Sequence, residues 1–271
     1  MLHFYDSHCG ALRRNGPKRS RTAAMASRFE TFAALHVPGD PVILYNVWDV
    51  GSAHAVVAAG ASALATGSHP VADANGWPDG QRVPLDFALA NAQRIVEAVE
   101  LPVTIDFEGA YSADPDEGAA NASSLKKTGA VGCNFEDQVV GGEGLHPVDL
   151  QVKRIAAIRK AVGDDFFINA RTDLFLKTRD YDDSLVDEVV ERGKAFAGAG
   201  ASGFFVPRLS DPRHIVRVVE AVSLPLNVIA FPGSPAKSEW ANSGVARISH
   251  GPFPHRELMA KLTEMARGAI G

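Results

Sequence analysis

Cysteine is scarce in this chain of 271 residues, and Cys9 and Cys133 alone cannot build a disulfide framework. Long apolar runs are missing too, since no stretch approaches the roughly 20 apolar residues that a membrane-spanning helix needs. The two absences together predict a cytoplasmic protein that does not bind membranes. The sequence also lacks a G-x-G-x-x-G or Walker motif, which disfavours a doubly wound nucleotide-binding sheet.

The net charge of −5 is unevenly distributed along the chain. Residues 1–25 hold five basic side chains against one acidic one, so they carry +4 and the rest of the chain carries −9. We interpret residues 1–25 as a flexible basic extension and expect translation to start at Met25, ahead of a single domain at 26–271. A body this acidic disfavours nucleic acid as a partner and predicts a cation wherever an acidic substrate binds.

One unit recurs from residue 41 onward: a short apolar run, a polar loop, an amphipathic helix pattern, and then Gly or Pro. The predicted strands are eight, at 41–46, 62–66, 102–106, 131–136, 166–171, 202–207, 225–230 and 245–249. Strands that are apolar throughout and alternate with helices are typical of parallel sheets. We therefore predict a (β/α)8 TIM barrel, with an open doubly wound sheet as the alternative.

Acidic residues follow neighbouring predicted strands, at the end of a barrel where active sites lie. Asp106 and Glu108 close the third strand, and Glu136 closes the fourth. On an extended strand Asp106 and Glu108 would point to the same face, with Cα atoms about 6–7 Å apart. Three carboxylates at one mouth favour Mg²⁺ or Mn²⁺. The alternative is that these acids cap helices or pair with surface basic residues.

Arg171 closes the fifth strand beside these acids, where its guanidinium could bind a substrate carboxylate or phosphonate in a bidentate manner. An ion pair with Asp173 or Glu136 is an equally good interpretation. Gly67 and Ser68 follow the second strand, and such a turn can offer backbone N–H groups to an anion, although it is also an ordinary turn.

Five motifs in this order resemble the isocitrate lyase/phosphoenolpyruvate mutase superfamily, especially its methylisocitrate-lyase-like and carboxyphosphonoenolpyruvate-mutase-like branch. They are NVWDVGSA at 46–53, ATGS at 65–68 with GWPDG at 76–80, PVTIDFE at 102–108, GCNFED at 132–137 and NARTD at 169–173. The resemblance covers about residues 28–268. It implies a (β/α)8 barrel whose last helix is exchanged between subunits of a homotetramer built as a dimer of dimers, and Mg²⁺-dependent chemistry on 2-oxo or 2-hydroxy acids.

The resemblance also implies roles for individual residues. Asp106 resembles the direct metal ligand, whereas Glu108, Glu136 and Asp79 resemble acids that hold metal-bound water. Arg171 lies where the family binds the group that is cleaved or transferred. Asp79, Glu136 and Arg171 are therefore the candidate catalytic residues, and Asp106, Glu108 and Glu136 the candidate metal site. The candidate substrate contacts are Trp48, Gly67, Ser68, Arg171 and Asn227.

The chain departs from the family in the loop that follows Glu136. The lyases carry Lys-(Lys/Arg)-Cys-Gly-His there, but residues 138–146 read QVVGGEGLH, without Lys or Cys. Two further departures are Ala110-Tyr111-Ser112 in place of Gly-Tyr-Gly and Pro207-Arg208 in place of Pro-Glu. The leading hypothesis is a Mg²⁺-dependent carbon–carbon lyase or decarboxylase that acts on a small 2-oxo or 2-hydroxy dicarboxylic acid through a metal-stabilised enolate. Retro-aldol cleavage of a 2-hydroxy diacid needs a general acid that this loop lacks, so decarboxylation of oxaloacetate is the simplest version. The alternatives are a phosphonopyruvate-type mutase or hydrolase and a non-catalytic 2-oxo acid binding protein.

Overall fold

The computed structural model describes residues 26–178 and 183–271, so the predicted extension at 1–25 lies outside the described residues. The strands are β1 (Val42–Leu44), β2 (Asn46–Val47), β3 (Leu64–Thr66), β4 (Val103–Asp106), β5 (Gly132–Glu136), β6 (Phe167–Arg171), β7 (Gly203–Phe205), β8 (Leu226–Ile229) and β9 (Arg247–Ser249). The helices are α1 (Arg28–Ala34), α2 (Val50–Ala58), α3 (Ser68–Ala74), α4 (Leu85–Ala98), α5 (Pro115–Lys127), α6 (Val148–Val162), α7 (Leu174–Lys177), α8 (Asp183–Gly198), α9 (Pro212–Ala221), α10 (Lys237–Asn242) and α11 (Phe253–Ile270).

The strands form a closed parallel ring. Each strand from β3 to β9 pairs with the next, β2 pairs with β3, and β1 pairs with β9. β1 and β2 are two parts of one barrel strand, separated at Tyr45. The eight predicted strands and the (β/α)8 architecture are therefore confirmed.

Asn46 fastens the seam where the first and last strands meet. Its side-chain Oδ1 accepts hydrogen bonds from the backbone N–H groups of His250 and Gly251, at 2.9 and 2.7 Å. Its Nδ2 donates to the carbonyl of Thr66 at 2.7 Å. One amide side chain thus joins the C-terminal ends of three segments of the barrel at the mouth.

Local sequence sets where several helices begin. Ser27 caps α1, and the Glu30 carboxylate accepts from the backbone N–H of Ser27 in return. Asp114 and Asp211 cap α5 and α9, and each is followed by a proline whose missing N–H costs nothing in the first turn. These caps fix the register in which each helix presents its apolar face to the barrel.

The inside of the barrel is polar near its mouth. Arg247 on β9 donates to Oδ1 of Asn134 on β5 at 3.2 Å, and Asn169 on β6 donates to the same oxygen at 2.8 Å. Asn227 on β8 joins through Ser249, whose hydroxyl donates to it at 3.2 Å. Because β9 and β5 stand on opposite sides of the ring, the Arg247–Asn134 bond spans the barrel interior.

The last helix leaves apolar side chains in solvent. Leu258, Leu262 and Met265 follow a helical spacing that places them on one face of α11, and they are 51%, 55% and 63% exposed. Among residues 26–178 and 183–271, no helix combines the length and apolarity that a membrane crossing demands.

Candidate active site

A cavity of about 530 Å³ opens at the C-terminal ends of the strands, where active sites of barrels lie. Most of the site residues predicted from the sequence line it: Gly67, Ser68, Asp79, Asp106, Glu108, Glu136 and Arg171. The C-terminal ends of β4, β5 and β6 and the segments that follow β3 and β4 thus bring these residues to one place.

Two donors hold the Asp106 carboxylate at the end of β4, and a third hydrogen bond holds its backbone. The backbone N–H of Ser68 donates to Oδ2 at 3.0 Å, and Asn134 Nδ2 donates to Oδ1 at 3.3 Å. The backbone N–H of Asp106 donates to the Thr66 hydroxyl at 3.0 Å. Asp106 is therefore oriented toward the cavity by neighbours on both flanking strands.

Glu108 reaches the cavity by a different route from the one expected. β4 ends at Asp106, and Glu108 has a φ of +50° in the left-handed region, so the alternation of an extended strand does not place it. Its Oε2 accepts from the backbone N–H of Gln81 at 2.8 Å. A left-handed glutamate is strained, and such strain concentrates at functional sites.

Burial, together with the nearby carboxylates of Asp106 and Asp79, raises the pKa of Glu108 to about 8. Glu108 is only 6% exposed, so little water reaches it. A cation in the cavity would offset the repulsion among these three acids.

The loop after Glu108 has a left-handed backbone at two residues that are not glycine. Ala110 and Tyr111 have φ values of +56° and +60°. They occupy the positions where the resembled family has Gly-Tyr. The backbone N–H of Tyr111 donates to Gln81 Oε1 at 2.6 Å, which helps to hold this strained turn beside Glu108.

Arg171 forms both of the ion pairs considered from the sequence and also lines the cavity. Its Nε and Nη2 donate to the two carboxylate oxygens of Asp173 at 2.6 and 2.9 Å, and its Nη1 lies 2.9 Å from Glu136 Oε2. Burial raises the pKa of Glu136 well above its usual range, and the Arg171 charge opposes this rise. The guanidinium is therefore rigidly positioned, with 16% of its side chain exposed.

Behind Glu136, Asp137 braces the same strand ends without lining the cavity. It accepts from the backbone N–H of Asp173 at 3.0 Å and from Arg192 Nη1 at 3.1 Å. Burial raises the pKa of Asp137 to about 6. Arg192 also donates to the His146 carbonyl at 3.1 Å, so Asp137 and Arg192 together tie the loop at 138–147 to β6.

Two predicted substrate contacts lie elsewhere. Trp48 is buried outside the cavity lining, with its ring edge against His255 at a centroid distance of 4.7 Å. Asn227 is 1% exposed and lies in the barrel interior, where its Oδ1 accepts from Ser249. Neither side chain reaches the cavity surface.

Sequence reasoning missed Gln81 and Arg247. Gln81 follows the Gly76–Gly80 motif directly and braces Glu108 and Tyr111. Arg247 is fully buried, and within the described part of the chain its Nη1 has no hydrogen-bond partner. A charged residue inside the apolar run 245–249 was the available signal for it.

The donor set suits Mg²⁺ or Mn²⁺ bound partly through water. Among residues 26–178 and 183–271, no three His, Cys, Asp or Glu side chains form a ready-made metal cage. Mg²⁺ is usually held by one or two carboxylates and several waters rather than by such a cage. Asp106, with Glu108, Glu136 and Asp79 around the same cavity, fits that pattern.

Comparison with known proteins finds a matching family model and a similar crystal structure. The phosphoenolpyruvate phosphomutase family model matches residues 32–270. A crystal structure from Burkholderia cenocepacia J2315, provisionally named a phosphonomutase, has 44% identity and a TM-score of 0.86, covering 89% of this chain and 99% of that one.

Two curated proteins are more distant. An uncharacterised protein of Mycobacterium tuberculosis H37Rv is 32% identical over 237 residues, or 88% of each chain. The 2-methylisocitrate lyase of Escherichia coli K12 is 28% identical over 205 residues, covering 71% of this chain and 67% of that protein.

Proposed function

The chain belongs to the phosphoenolpyruvate phosphomutase family, within the isocitrate lyase/phosphoenolpyruvate mutase superfamily that its motifs resemble, and from that premise we propose a specific activity. The proposed activity is that of a Mg²⁺-dependent carbon–carbon lyase or decarboxylase that acts on a small 2-oxo or 2-hydroxy dicarboxylic acid. The observation that carries this proposal is the convergence of Asp79, Asp106, Glu108, Glu136 and Arg171 on one cavity.

Asp106 would hold the metal, and Glu108, Glu136 and Asp79 would hold its water ligands. Held there, Mg²⁺ would supply a Lewis acid that stabilises negative charge developing on the substrate. Arg171, already fixed by Asp173 and Glu136, binds a carboxylate of the substrate at the same mouth. Gly67 and Ser68 line the same cavity, and the backbone N–H of Ser68 holds the Asp106 carboxylate in place.

The loop at 138–147 supports decarboxylation over retro-aldol cleavage. Retro-aldol cleavage needs an acid to protonate the product carbanion. Of this loop's residues, only Gln138 is part of the cavity lining, and an amide is not a proton donor of useful strength. Loss of CO₂ from a 3-carboxy-2-oxo acid needs no base for a hydroxyl group, and the enolate that it leaves can take its proton from solvent, so oxaloacetate is the simplest substrate.

A phosphonopyruvate-type mutase or hydrolase is the second candidate, favoured by the 44% identity to the Burkholderia protein. A 2-oxo acid binding protein without catalysis is the third. It would use the same acids and Arg171, and would differ only in leaving its ligand unchanged.

The test is to incubate the purified protein and Mg²⁺ with oxaloacetate, methylisocitrate, dimethylmalate and phosphonopyruvate, and to identify products by NMR. Since oxaloacetate decays in Mg²⁺ alone, the rate is measured against Asp106→Asn, which we expect to fall to that background. Asp86→Asn is the matched control, because Asp86 is exposed on α4 and lies outside the cavity lining.

Turnover of a carboxylic acid by the wild type and Asp86→Asn, but not by Asp106→Asn, supports the proposal. Turnover of phosphonopyruvate alone would replace it with the mutase or hydrolase. A Mg²⁺-dependent rise in melting temperature with 2-oxoglutarate, and no product from any compound, would replace it with the binding protein.

We also propose that the chain forms homo-oligomers, as a dimer of dimers, with α11 packed on a second copy. The exposed Leu258, Leu262 and Met265 support this, because an apolar face of this kind is usually covered in an assembly.

A further inference from the structure

The cavity has two unlike sides. Asp79 follows β3 and the other acids lie at or just after the ends of β4 and β5, whereas most of the lining at and after the ends of β7 and β8 is apolar. With β1 and β2 counted as one strand, β8 stands diametrically across the ring from β4. A ligand whose polar end contacts the acids therefore directs the rest of its chain toward the apolar side.

Phe205, Pro207, Ile229, Phe231 and Phe253 form this apolar side, which we call the apolar wall. Phe205 ends β7 and Ile229 ends β8, so both are anchored on strands. The wall combines residues from two strand ends, the two loops that follow them and the start of α11.

Backbone features fix two members of the wall. Phe231 begins a tight turn in which its N–H donates to the Ser234 hydroxyl and its carbonyl accepts from the Ser234 N–H, both at 2.9 Å. Ile229 packs against Gly251, where a Cβ would lie 2.5 Å from Ile229 Cδ1. The wall is therefore a built surface rather than a set of loose side chains.

The volume of the cavity exceeds what a four-carbon diacid requires. About 530 Å³ falls within the range of about 300–1,000 Å³ that holds ligands of drug size. Spare volume beside an apolar surface suits an apolar group, because a charged group there would lose hydration.

We propose that the apolar wall is the subsite for an alkyl substituent on C3 of the substrate, longer than a methyl group. This inference rests on the proposed function, since it takes the acids and Mg²⁺ to hold the polar end of a 2-oxo or 2-hydroxy acid. It identifies the substrate class as a 3-alkyl-substituted acid.

A distal anion is the competing occupant, because Arg208 and Arg256 also line the cavity. Arg256 is already engaged, since its Nη2 lies 3.2 Å from His69 Nε2 and its guanidinium lies over the Phe253 ring at 5.9 Å. Arg208 is exposed, with a left-handed φ of +68°. Binding of an anion by Arg208 is the alternative that the test below distinguishes from binding of an alkyl group.

The test measures dissociation constants by calorimetry at saturating Mg²⁺. The probes are oxalate, pyruvate, 2-oxobutanoate, 2-oxopentanoate and 2-oxopentanedioate. Each added CH₂ buried on the wall should tighten binding about fourfold from pyruvate to 2-oxopentanoate. The diacid 2-oxopentanedioate should bind more weakly than 2-oxopentanoate, which has the same chain length.

Phe231→Ala should flatten this series and leave the affinity for oxalate unchanged. Phe87→Ala is the matched control, because Phe87 packs edge-to-face with Trp77 outside the cavity lining and its loss should leave the series intact. The wild-type series stands on its own if Phe231→Ala fails to fold.

A flat wild-type series overturns the inference, as does tighter binding of 2-oxopentanedioate, which would assign this side to an anion. Both results leave the proposed function standing if oxalate binds in a Mg²⁺-dependent way. Absence of Mg²⁺-dependent oxalate binding would overturn the proposed function and this inference with it.

Discussion

Replacing Arg247 with methionine should make the protein more stable. Arg247 is fully buried, and among the described residues it forms no ion pair. Burial lowers the pKa of Arg247 from 12.5 to about 9, although Asp106 opposes the change. A difference of about 3.5, at about 1.36 kcal/mol for each pKa unit, corresponds to about 5 kcal/mol spent to keep this charge inside the barrel.

Methionine has a similar volume and removes that penalty. The two acceptors that Arg247 contacts keep other partners, because Asn134 Oδ1 still accepts from Asn169 and the Ser249 hydroxyl still donates to Asn227. Lost hydrogen bonds and imperfect packing should offset about 2 kcal/mol of the gain. We therefore expect Arg247→Met to raise the free energy of unfolding by about 3 kcal/mol, consistent with other buried charges.

The assay is urea denaturation followed by circular dichroism, at one protein concentration and with the slope m compared between variants. Because the pKa of Arg247 is lowered in the folded chain, the folded chain binds fewer protons than the unfolded chain only above about pH 9. The difference in the free energy of unfolding between Arg247→Met and the wild type should therefore be constant between about pH 5 and 8. Arg154→Met is the control.

The Arg154 guanidinium donates to Gln151 Oε1 and to the carbonyls of Gly109 and Ser112, at 2.6, 2.7 and 2.9 Å. Without this guanidinium the buried acceptors lose their hydrogen-bond donor, which should lower the free energy of unfolding by about 2–4 kcal/mol. If Arg247→Met is itself destabilised by more than about 1 kcal/mol at unchanged m, the reasoning about an uncompensated buried charge is refuted.

Three further predictions follow from the site, the last helix and the sheet. Because the pKa of Glu108 is raised to about 8, Mg²⁺ binding at pH 7 should release a proton from Glu108 and should strengthen as the pH rises to about 8. Calorimetry in buffers of different ionisation heat checks this, and Glu108→Gln should lower the number of protons released, with the remainder coming from Glu136, whose pKa is also raised. Leu262→Glu should shift the protein to a smaller species in light scattering, whereas the exposed Thr263→Glu should not. Gly132→Ala should lower stability by about 1–3 kcal/mol, because its Cβ would lie 2.4 Å from the Phe167 carbonyl oxygen, while Gly198→Ala, with open space, should be neutral or stabilising in urea denaturation.

The sequence predicted the barrel well, because Gly and Pro mark the ends of the helices and the strands are apolar throughout. The acids could be assigned to one mouth because neighbouring parallel strands end at the same edge, and Asp106 and Glu136 do line one cavity.

The direction in which buried side chains face could not be predicted. A strand that is apolar on both sides gives no alternation from which to read direction, so Arg247 and Asn227 in the barrel interior were not recognisable as a network. The position of Glu108 could not be predicted for a different reason, since its backbone is left-handed and its carboxylate accepts a hydrogen bond from Gln81, 27 residues away in sequence.

The seam at Asn46 has a consequence for how the chain folds as it is synthesised. Asn46 cannot accept its hydrogen bond from His250 until 204 further residues have been synthesised, and β1 cannot pair until β9 is present. Until that last strand leaves the ribosome, the growing parallel sheet has two unpaired edges, which is the state most exposed to aggregation. Closure of the ring and burial of Arg247 arrive in the same final step, so a nascent chain that stalls before residue 245 holds an open sheet.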